Sequence, residues 1–222
     1  STVGGGYNNT ASNSASTVGG GRDNTASGTR STVGGGDGNT ASGYSATVGG
    51  GKGNTASGDY SFAAGRSAND GGYNNSFVWG GATGARTSAG ADTFNVWSAG
   101  GIYLNGSVHA ASDKNLKEGF SFVSGREVLD KVVEMPISKW RFKSEDDDVK
   151  HIGPVAQDFM ASFGYGSSDK HITSTDADGV ALAAIQGLNE KLEANLEDTR
   201  GELAEKQAEI DSLREEVATQ AK

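Results

Sequence analysis

Few residues in this chain are of a type that could do chemistry. The sequence contains no Cys, which excludes zinc-finger and disulfide-rich scaffolds. Its three histidines, His109, His151 and His171, lack the flanking signature of a Ser-His-Asp arrangement. The densest acidic run, residues 145–148, could bind a metal ion or form a solvated turn, and we favour the turn. We therefore predict no metal site and no bound cofactor.

The pair Ser112-Asp113 has an ordinary structural interpretation. Ser and Asp are common helix caps, and here they precede Asn115, Leu116 and Lys117. Taken alone, this segment therefore predicts a cap or a turn. A catalytic role for Ser112 needs a second argument, because a serine hydroxyl is a poor nucleophile unless a base takes its proton.

Composition divides the chain near position 112. Residues 1–111 hold 5 Lys/Arg, 5 Asp/Glu and 27 of the 35 Gly, whereas residues 112–222 hold 14 Lys/Arg and 23 Asp/Glu and carry the whole net charge of −9. An acidic chain without a Lys/Arg cluster argues against nucleic-acid binding. The sequence has no run of 18 apolar residues, which argues against membrane insertion. The glycine-rich half is too poor in apolar residues for a large monomeric core, which indicates repeats or oligomerisation.

The first half is built from a 15-residue repeat. A degenerate fifth copy begins at Ser61, and the four regular copies align Val3, Val18, Val33 and Val48. Thr and Val favour strands, whereas Gly and Asn favour turns. Each copy therefore predicts one coil of a β-solenoid, with two very short strands, two tight turns and a core of one Val and one Ala. A flexible Gly/Ser/Asn linker has a similar composition, but it does not need Val in strict register with Gly.

This pattern resembles the left-handed β-roll heads of trimeric autotransporter adhesins and some phage fibres. We predict a β-roll shaft over residues 1–75, stabilised by stacking along its axis and by sister chains. Residues 76–111 are predicted to form a β-rich transition. It contains β-like runs at residues 76–79, 93–97 and 100–106, whose aromatic side chains we assign to packing rather than to ligand stacking.

The pattern from Ser112 onward predicts an α+β domain over residues 112–178. Helical spacing over residues 124–133 predicts a helix that ends at Pro136. Alternation predicts a strand over residues 137–142, and residues 151–159 predict a strand that leads into a short helix. The apolar side of the first helix is predicted to consist of Val128, Leu129, Val132 and Val133.

Residues 179–222 are predicted to form one long helix. From Leu196 to Val217 its seam advances in alternating steps of three and four residues, the spacing of a coiled coil. Thr199 and Lys206 interrupt this seam, and an 11-residue spacing from Ile185 to Leu196 predicts a stutter. Nothing else in the chain could cover so long a stripe. We therefore predict a parallel homotrimer, although heptads alone do not determine the number of chains.

Three segments of the second half follow one another in a recognisable order. Residues 112–117 read Ser-Asp-Lys-Asn-Leu-Lys, residues 136–143 read Pro-Ile-Ser-Lys-Trp-Arg-Phe-Lys, and residues 153–158 read Gly-Pro-Val-Ala-Gln-Asp. Together with the terminal coiled coil, these segments resemble the endosialidase-type intramolecular chaperone, peptidase family S74. Pro154 departs from the family pattern, which usually has a bulky apolar residue at that place.

The resemblance implies an activity and the residues that perform it. Family members lie at the C-terminus of phage tail spikes, fibres and other trimeric β-proteins, where they assemble the trimer and then cut themselves off. The implied cleavage site lies between Ala111 and Ser112, with Ser112 as the nucleophile and Lys117 as its partner. A Ser-Lys dyad is a known variant of the catalytic triad, and it requires a neutral Lys, which burial favours. Asp113 and Glu118 are candidates for orienting Lys117.

We therefore predict a C-terminal intramolecular chaperone that trimerises and folds a surface-fibre β-solenoid. It then releases itself as a single-turnover serine endopeptidase of the Ser-Lys type. The alternative is a non-enzymatic trimeric adhesin or receptor-binding fibre, in which the second half is a permanent trimerisation foot. A trimeric autotransporter would end in an outer-membrane anchor, for which residues 215–222 are too polar.

The predicted partners follow from this interpretation. They are two sister chains and, because the chain opens within a repeat, an upstream fibre or spike domain of the same chain. A cell-surface receptor or glycan would be bound by parts outside this sequence. We expect the fibre on a virion tail or a bacterial cell surface, and the released chaperone fragment in solution.

Overall fold

A computed structural model describes residues 1–81, 84, 86–98, 100–143 and 145–220. Four positions of the predicted transition (82, 83, 85 and 99), position 144, and the last two positions of the predicted coiled coil (221 and 222) lie outside the described residues. The chain separates into two compact units, Ser1–Gly106 and Ser107–Lys222. The division into segments ending at residues 75, 111 and 178 stays a prediction.

The first unit is a β-solenoid, which confirms the fold predicted from the repeat. Its strands are β1 (Thr2–Val3), β2 (Thr10–Ala11), β3 (Thr17–Val18), β4 (Thr25–Ala26), β5 (Thr32–Val33), β6 (Thr40–Ala41), β7 (Thr47–Lys52), β8 (Thr55–Ala56), β9 (Phe62–Arg66), β10 (Ala68–Asn69), β11 (Phe77–Gly80), β12 (Arg86–Thr87) and β13 (Phe94–Trp97). The odd-numbered strands form one parallel sheet and the even-numbered strands form the other. Within the regular repeats the pairing advances by 15 residues, so that Thr17 lies between Thr2 and Thr32.

The core of the solenoid is as thin as the repeat predicts. Most regular coils place one Val from the first sheet and one Ala from the second sheet in the interior, and these side chains are fully buried. The buried core residues are Val18, Ala26, Val33, Ala41, Ala46, Val48, Ala56, Ala63, Ala68 and Val78. Because these side chains are small, burial of apolar area contributes little per coil. Hydrogen bonds between coils must therefore contribute much of the cohesion.

A ladder of buried asparagines connects successive coils. Asn24, Asn39 and Asn54 are fully buried. The backbone N–H of Asn39 donates to Asn24 Oδ1 at 3.0 Å, and that of Asn54 donates to Asn39 Oδ1 at 2.9 Å. Asn39 Nδ2 also donates to two glycine carbonyls, one in its own coil and one in the next. The repeated Asn is thus an internal link between coils as well as a turn former.

The close approach of the coils explains the repeated glycines. Gly21 has φ +91° in the left-handed region, and a Cβ there would lie 2.2 Å from the carbonyl oxygen of Gly36. Any side chain would clash with the neighbouring backbone. The glycine column is therefore a steric requirement of the stack.

Asp70 is a buried carboxylate beside the fourth and fifth coils. It accepts hydrogen bonds from the N–H groups of Ser57 and Gly58, both at 2.6 Å, and from Ser61 Oγ at 2.6 Å. Burial by itself raises the pKa of Asp70. The hydrogen bonds, above all that from Ser61 Oγ, outweigh burial and hold the pKa below its usual value.

The last coils of the solenoid carry an aromatic column. The ring of Phe77 stacks between those of Phe62 and Phe94, with centroid separations of 4.9 and 4.5 Å.

Two of the three β-like runs predicted for residues 76–111 match strands of the structure, namely β11 and β13. The third prediction, a strand at residues 100–106, is wrong: no strand is assigned there, and Tyr103 is 87% exposed.

The described residues of the second unit form three α-helices and a short antiparallel sheet. They are α1 (Gly125–Glu134), β14 (Ser138–Trp140), β15 (His151–Gly153), α2 (Ala156–Phe163) and α3 (Ser174–Gln220). In α1, the Ser124 side chain caps the N-terminus by accepting from the Glu127 N–H. In the described residues, no helix is both long and apolar enough to cross a membrane.

The core of the second unit lies between the three helices. It consists of Val128, Met135, Phe159, Phe163, Val180 and Ala184. Helices α1 and α3 cross at two glycines, where a Cβ on Gly187 would lie 2.1 Å from the Gly125 carbonyl oxygen. On the predicted apolar side of α1, Val128 is buried, whereas Val133 is 75% exposed.

The long helix begins earlier than its heptads predict. It starts at Ser174 rather than near Gly179. Thr173 Oγ1 accepts from the Asp176 N–H at 3.1 Å and donates to the Asp176 carboxylate at 2.7 Å. This capping pair satisfies donors of the first turn and extends the helix ahead of its apolar seam.

Candidate active site

Ser112 and Lys117 lie on either side of a single 3-10 turn in the second unit. Asp113 has an extended backbone, and its carboxylate accepts from the Asn115 N–H at 2.9 Å. This cap starts a 3-10 helix over Lys114–Leu116, after which Lys117 returns to an extended conformation. The predicted capping turn is therefore present, and it determines how the chain runs from Ser112 to Lys117.

The turn brings the two side chains into contact. Lys117 Nζ donates a hydrogen bond to Ser112 Oγ at 2.8 Å. A protonated Lys can only donate, whereas a neutral amine in the same place could accept the hydroxyl proton. The hydroxyl of Ser112 and the amine of Lys117 are thus within hydrogen-bond distance, which is the reach that a nucleophile and its base require.

The surroundings of this pair are open in the single chain. Every residue from 107 to 123 is exposed. Several of these residues are large and apolar, including Leu116 at 72% and Phe122 at 93% exposure. An apolar stretch next to a polar pair is a surface that a partner could cover.

The neighbouring acidic groups do not hold Lys117. The Asp113 carboxylate is engaged by Asn115, through both its N–H and its side-chain amide. In this part of the described chain, no hydrogen bond joins Lys117 to Asp113 or Glu118. The hydrogen bond to Ser112 is thus the contact that orients Lys117.

The histidines lie in other environments. His151 Nε2 is 3.0 Å from Glu145 Oε2, and its ring is tilted against Trp140. The Phe142 N–H donates to Glu145 and, with a smaller contribution from His151, holds the pKa of that carboxyl below its usual value against the effect of burial. His109 is exposed, and His171 lies 3.5 Å from Ser168 Oγ.

The acidic run at residues 145–148 forms a braced loop. Glu145 is half-buried against His151, and Asp147 forms an ion pair with Arg141. Across the described residues, no group of three or more His, Cys, Asp or Glu side chains is arranged to hold a metal ion. The solvated turn that we expected here is thus held to the sheet at Glu145, through His151.

The position of the Ser-Lys pair coincides with the start of a recognised domain. Residues 112–165 match the peptidase S74 family, described as the chaperone of endosialidase. This match confirms the resemblance identified from the sequence motifs and supports an intramolecular chaperone role for the segment. No curated protein matches the chain. No solved structure matches it either.

The peptidase S74 match covers the 3-10 turn, α1, both strands of the short sheet and α2. It begins at Ser112, the residue that follows the implied scissile bond. The β-solenoid lies ahead of the matched segment, and the whole of α3 lies beyond it. The matched part is therefore the helix and strand region between these two elements.

Proposed function

We propose that this chain is a fibre segment followed by its own chaperone, which assembles three copies and then cuts itself free between Ala111 and Ser112. The observation that carries the proposal is the hydrogen bond of 2.8 Å between Lys117 Nζ and Ser112 Oγ at the first residue of the peptidase S74 match. The fibre would belong to a virion tail or to a bacterial cell surface.

The proposed reaction is an acyl shift followed by hydrolysis. Neutral Lys117 takes the proton of Ser112 Oγ, and the oxygen attacks the carbonyl carbon of Ala111. The Ala111–Ser112 C–N bond breaks, and the proton passes from Lys117 to the amine nitrogen of Ser112. The resulting ester joins Ala111 to Ser112 Oγ. Water then hydrolyses it to a carboxylate on Ala111 and a free hydroxyl on Ser112.

Assembly provides the trigger in this account. A lysine acts as a base only in its neutral form, which burial away from water favours. Ser112 and Lys117 are both exposed in the single chain, and so are the apolar residues that follow them. Contact with sister chains would cover this stretch and favour the neutral amine. Cleavage would then occur only after the trimer has formed.

The consequence for the fibre is kinetic. Successive 15-residue coils pair through nearly identical columns, so that a slip of one coil costs little pairing energy. Three chains joined at their tails begin to pair from one end, at a high effective concentration. Once the chaperone has left, the solenoid cannot unfold by the reverse route, and its lifetime depends on a barrier.

The proposal is tested by the size of the purified products. The wild-type chain should give a shaft and a fragment of residues 112–222, whereas Ser112→Ala and Lys117→Ala should stay intact. Lys114→Ala is the matched control, because Lys114 Nζ lies over the Phe120 ring, whereas Lys117 contacts Ser112. Cleavage of the Ser112→Ala chain at the same bond would refute the mechanism. An intact wild-type trimer would favour the alternative, a permanent trimerisation foot.

A further inference from the structure

The helix α3 leaves a long row of apolar side chains uncovered in the single chain. Their exposed fractions run from 44% for Ile210 to 66% for Val217. From residue 196 onward the row occupies the two inner positions of a heptad, conventionally a and d. Position a holds Leu196, Leu203, Ile210 and Val217, and position d holds Thr199, Lys206 and Leu213. An apolar row of this length requires a partner helix.

The charged residues beside this row are sorted by sign. The flanking position g holds Glu202, Glu209 and Glu216, and the opposite flanking position e holds Arg200, Gln207 and Arg214. Because α3 is continuous over Ser174–Gln220, these residues line the two edges of the apolar row. One edge is therefore acidic, and the other is basic or neutral.

This sorting distinguishes the two ways in which copies could lie together. In parallel coiled coils a g residue faces the e residue five positions later on the neighbouring helix. Glu209 of one copy then meets Arg214 of its neighbour. In an antiparallel pair, g faces g and e faces e, so that glutamates meet glutamates and arginines meet arginines. Like charges in contact oppose that arrangement.

We propose that Glu209 and Arg214 of neighbouring copies form an ion pair that selects the parallel orientation predicted for the copies covering this row. The inference rests on the copy-to-copy assembly in the proposed function, and it adds the residues that select the orientation of the copies. Each copy offers its acidic edge to one neighbour and its basic edge to the other. Such head-to-tail contacts close into a ring.

Arg214 is available for this contact. Its guanidinium lies 3.4 Å from Asp211 on the same helix, and its side chain remains 74% exposed. The internal contact is long and solvated, so it competes weakly with a pair beside an apolar seam.

The orientation can be measured by disulfide cross-linking, because the chain has no Cys of its own. Val217→Cys places one thiol near the end of the row in the full chain. Parallel copies bring the 217 thiols together and should give a cross-linked pair on a non-reducing gel. In a mixture with Ile185→Cys chains, the proposal predicts 217–217 links. A 185–217 link in place of these would overturn it.

The role of the ion pair needs a separate variant. In a ring of three, Glu209→Arg replaces three attractive contacts with repulsive ones, and it should weaken association by about tenfold or more. Adding Arg214→Glu should restore most of this loss. Glu205→Arg is the matched control, since it makes the same charge change on an exposed side of the helix away from the row. An equal loss in the control, or no restoration, would overturn the assignment of Glu209 and Arg214.

The orientation of the copies and their assembly are refuted by different results. An assembled mass in solution with 185–217 links would refute the orientation and leave assembly and cleavage standing. A monomeric mass for the wild-type chain would refute assembly and, with it, the parallel arrangement. Sedimentation of the same samples used for cross-linking separates these outcomes.

Discussion

At the scale of single residues, the spacing between Ser112 and Lys117 is explained by the turn that joins them. Asp113 caps the 3-10 turn and thereby directs the Lys117 side chain back to the serine. The observed hydrogen bond has the lysine as donor, whereas the proposed reaction needs the lysine as acceptor. In the proposed mechanism, Lys117 must therefore lose a proton before Ser112 attacks.

Replacing Lys117 by Arg separates contact from base chemistry. Arginine keeps the positive charge and can donate to Ser112 Oγ, but a guanidinium does not lose its proton in proteins. Since a general base contributes about 10²- to 10⁴-fold, Lys117→Arg should reduce the cleavage rate by that factor in an assembled chain. The rate is followed by densitometry of the fragment 112–222. Wild-type cleavage in this variant would show that Lys117 acts only as a hydrogen-bond donor.

Asp70 predicts a pH dependence for the stability of the solenoid. Its pKa is lower in the folded chain than in the unfolded chain, where a typical Asp titrates near 3.9. Its contribution is therefore fully present above the unfolded value and is lost as the pH falls through the folded value. Asp70→Asn should lower the melting temperature at pH 7, and the difference from wild type should shrink below about pH 4. A difference that stays constant down to pH 2.5 would contradict this role.

At the scale of elements, the asparagine ladder carries cohesion that the small Val and Ala side chains cannot supply. Asn39 accepts from the Asn54 N–H and donates to the carbonyls of Gly35 and Gly51. Removal of its amide leaves several buried groups unpaired. Each such group costs about 1–3 kcal/mol.

Asn39→Ala should therefore destabilise the solenoid by about 3 kcal/mol or more. The exposed Asn105→Ala is the control and should change stability by less than about 0.5 kcal/mol. Both free energies of unfolding are measured by denaturant titration of the β-sheet signal. Equal stabilities for the two variants would contradict the ladder.

The crossing of α1 and α3 can be tested with two identical substitutions in one helix. Gly187→Ala places a Cβ 2.1 Å from the Gly125 carbonyl oxygen and should cost about 1–3 kcal/mol by forcing the helices apart. Gly201→Ala meets no atom within 4 Å and should stabilise the helix by up to about 1 kcal/mol. Thermal unfolding followed at 222 nm distinguishes them. Stabilisation by both substitutions would argue against the close crossing.

The elements that could be predicted from the sequence are those with a strict period. Four valines in register predict stacked coils, and heptad spacing predicts the long helix. The Asn ladder was not predicted, because turn preference alone explains Asn at that place. The start of α3 was placed too late, because Thr173 and Asp176 form a cap without apolar residues. Residues 100–106 were misassigned as a strand, and the exposure of Val133 was not predicted, because a local pattern cannot tell which apolar residues the single chain leaves exposed.

The site was predictable only in part. Ser112 and Lys117 were identified from the resemblance of their motif to the peptidase S74 family. Their contact depends on a turn that, taken alone, indicates only a helix cap. The engagement of Asp113 by Asn115 follows from that turn, since a capping carboxylate points to backbone N–H groups. In the proposed mechanism, the burial of Lys117 comes from other copies, and no pattern within one chain contains them.

At the scale of the whole molecule, the proposed function assigns to the second unit the alignment of three periodic solenoids. Nearly identical coils pair correctly only if neighbouring chains start at the same place. The uncovered row on α3 and the exposed apolar residues after Ser112 are the surfaces on which sister chains can meet. Cleavage limited to assembled chains would release the chaperone only when alignment is complete.

The coupling of assembly to cleavage is tested most directly by the concentration dependence of cleavage. Denatured, uncleaved chain is refolded over a hundredfold range of concentration, and the fragment 112–222 is followed together with the mass of the assembled species. The account predicts that the fragment appears faster at higher concentration and only after trimers are present. Cleavage at one rate at all concentrations, from chains that sediment as monomers, would contradict it.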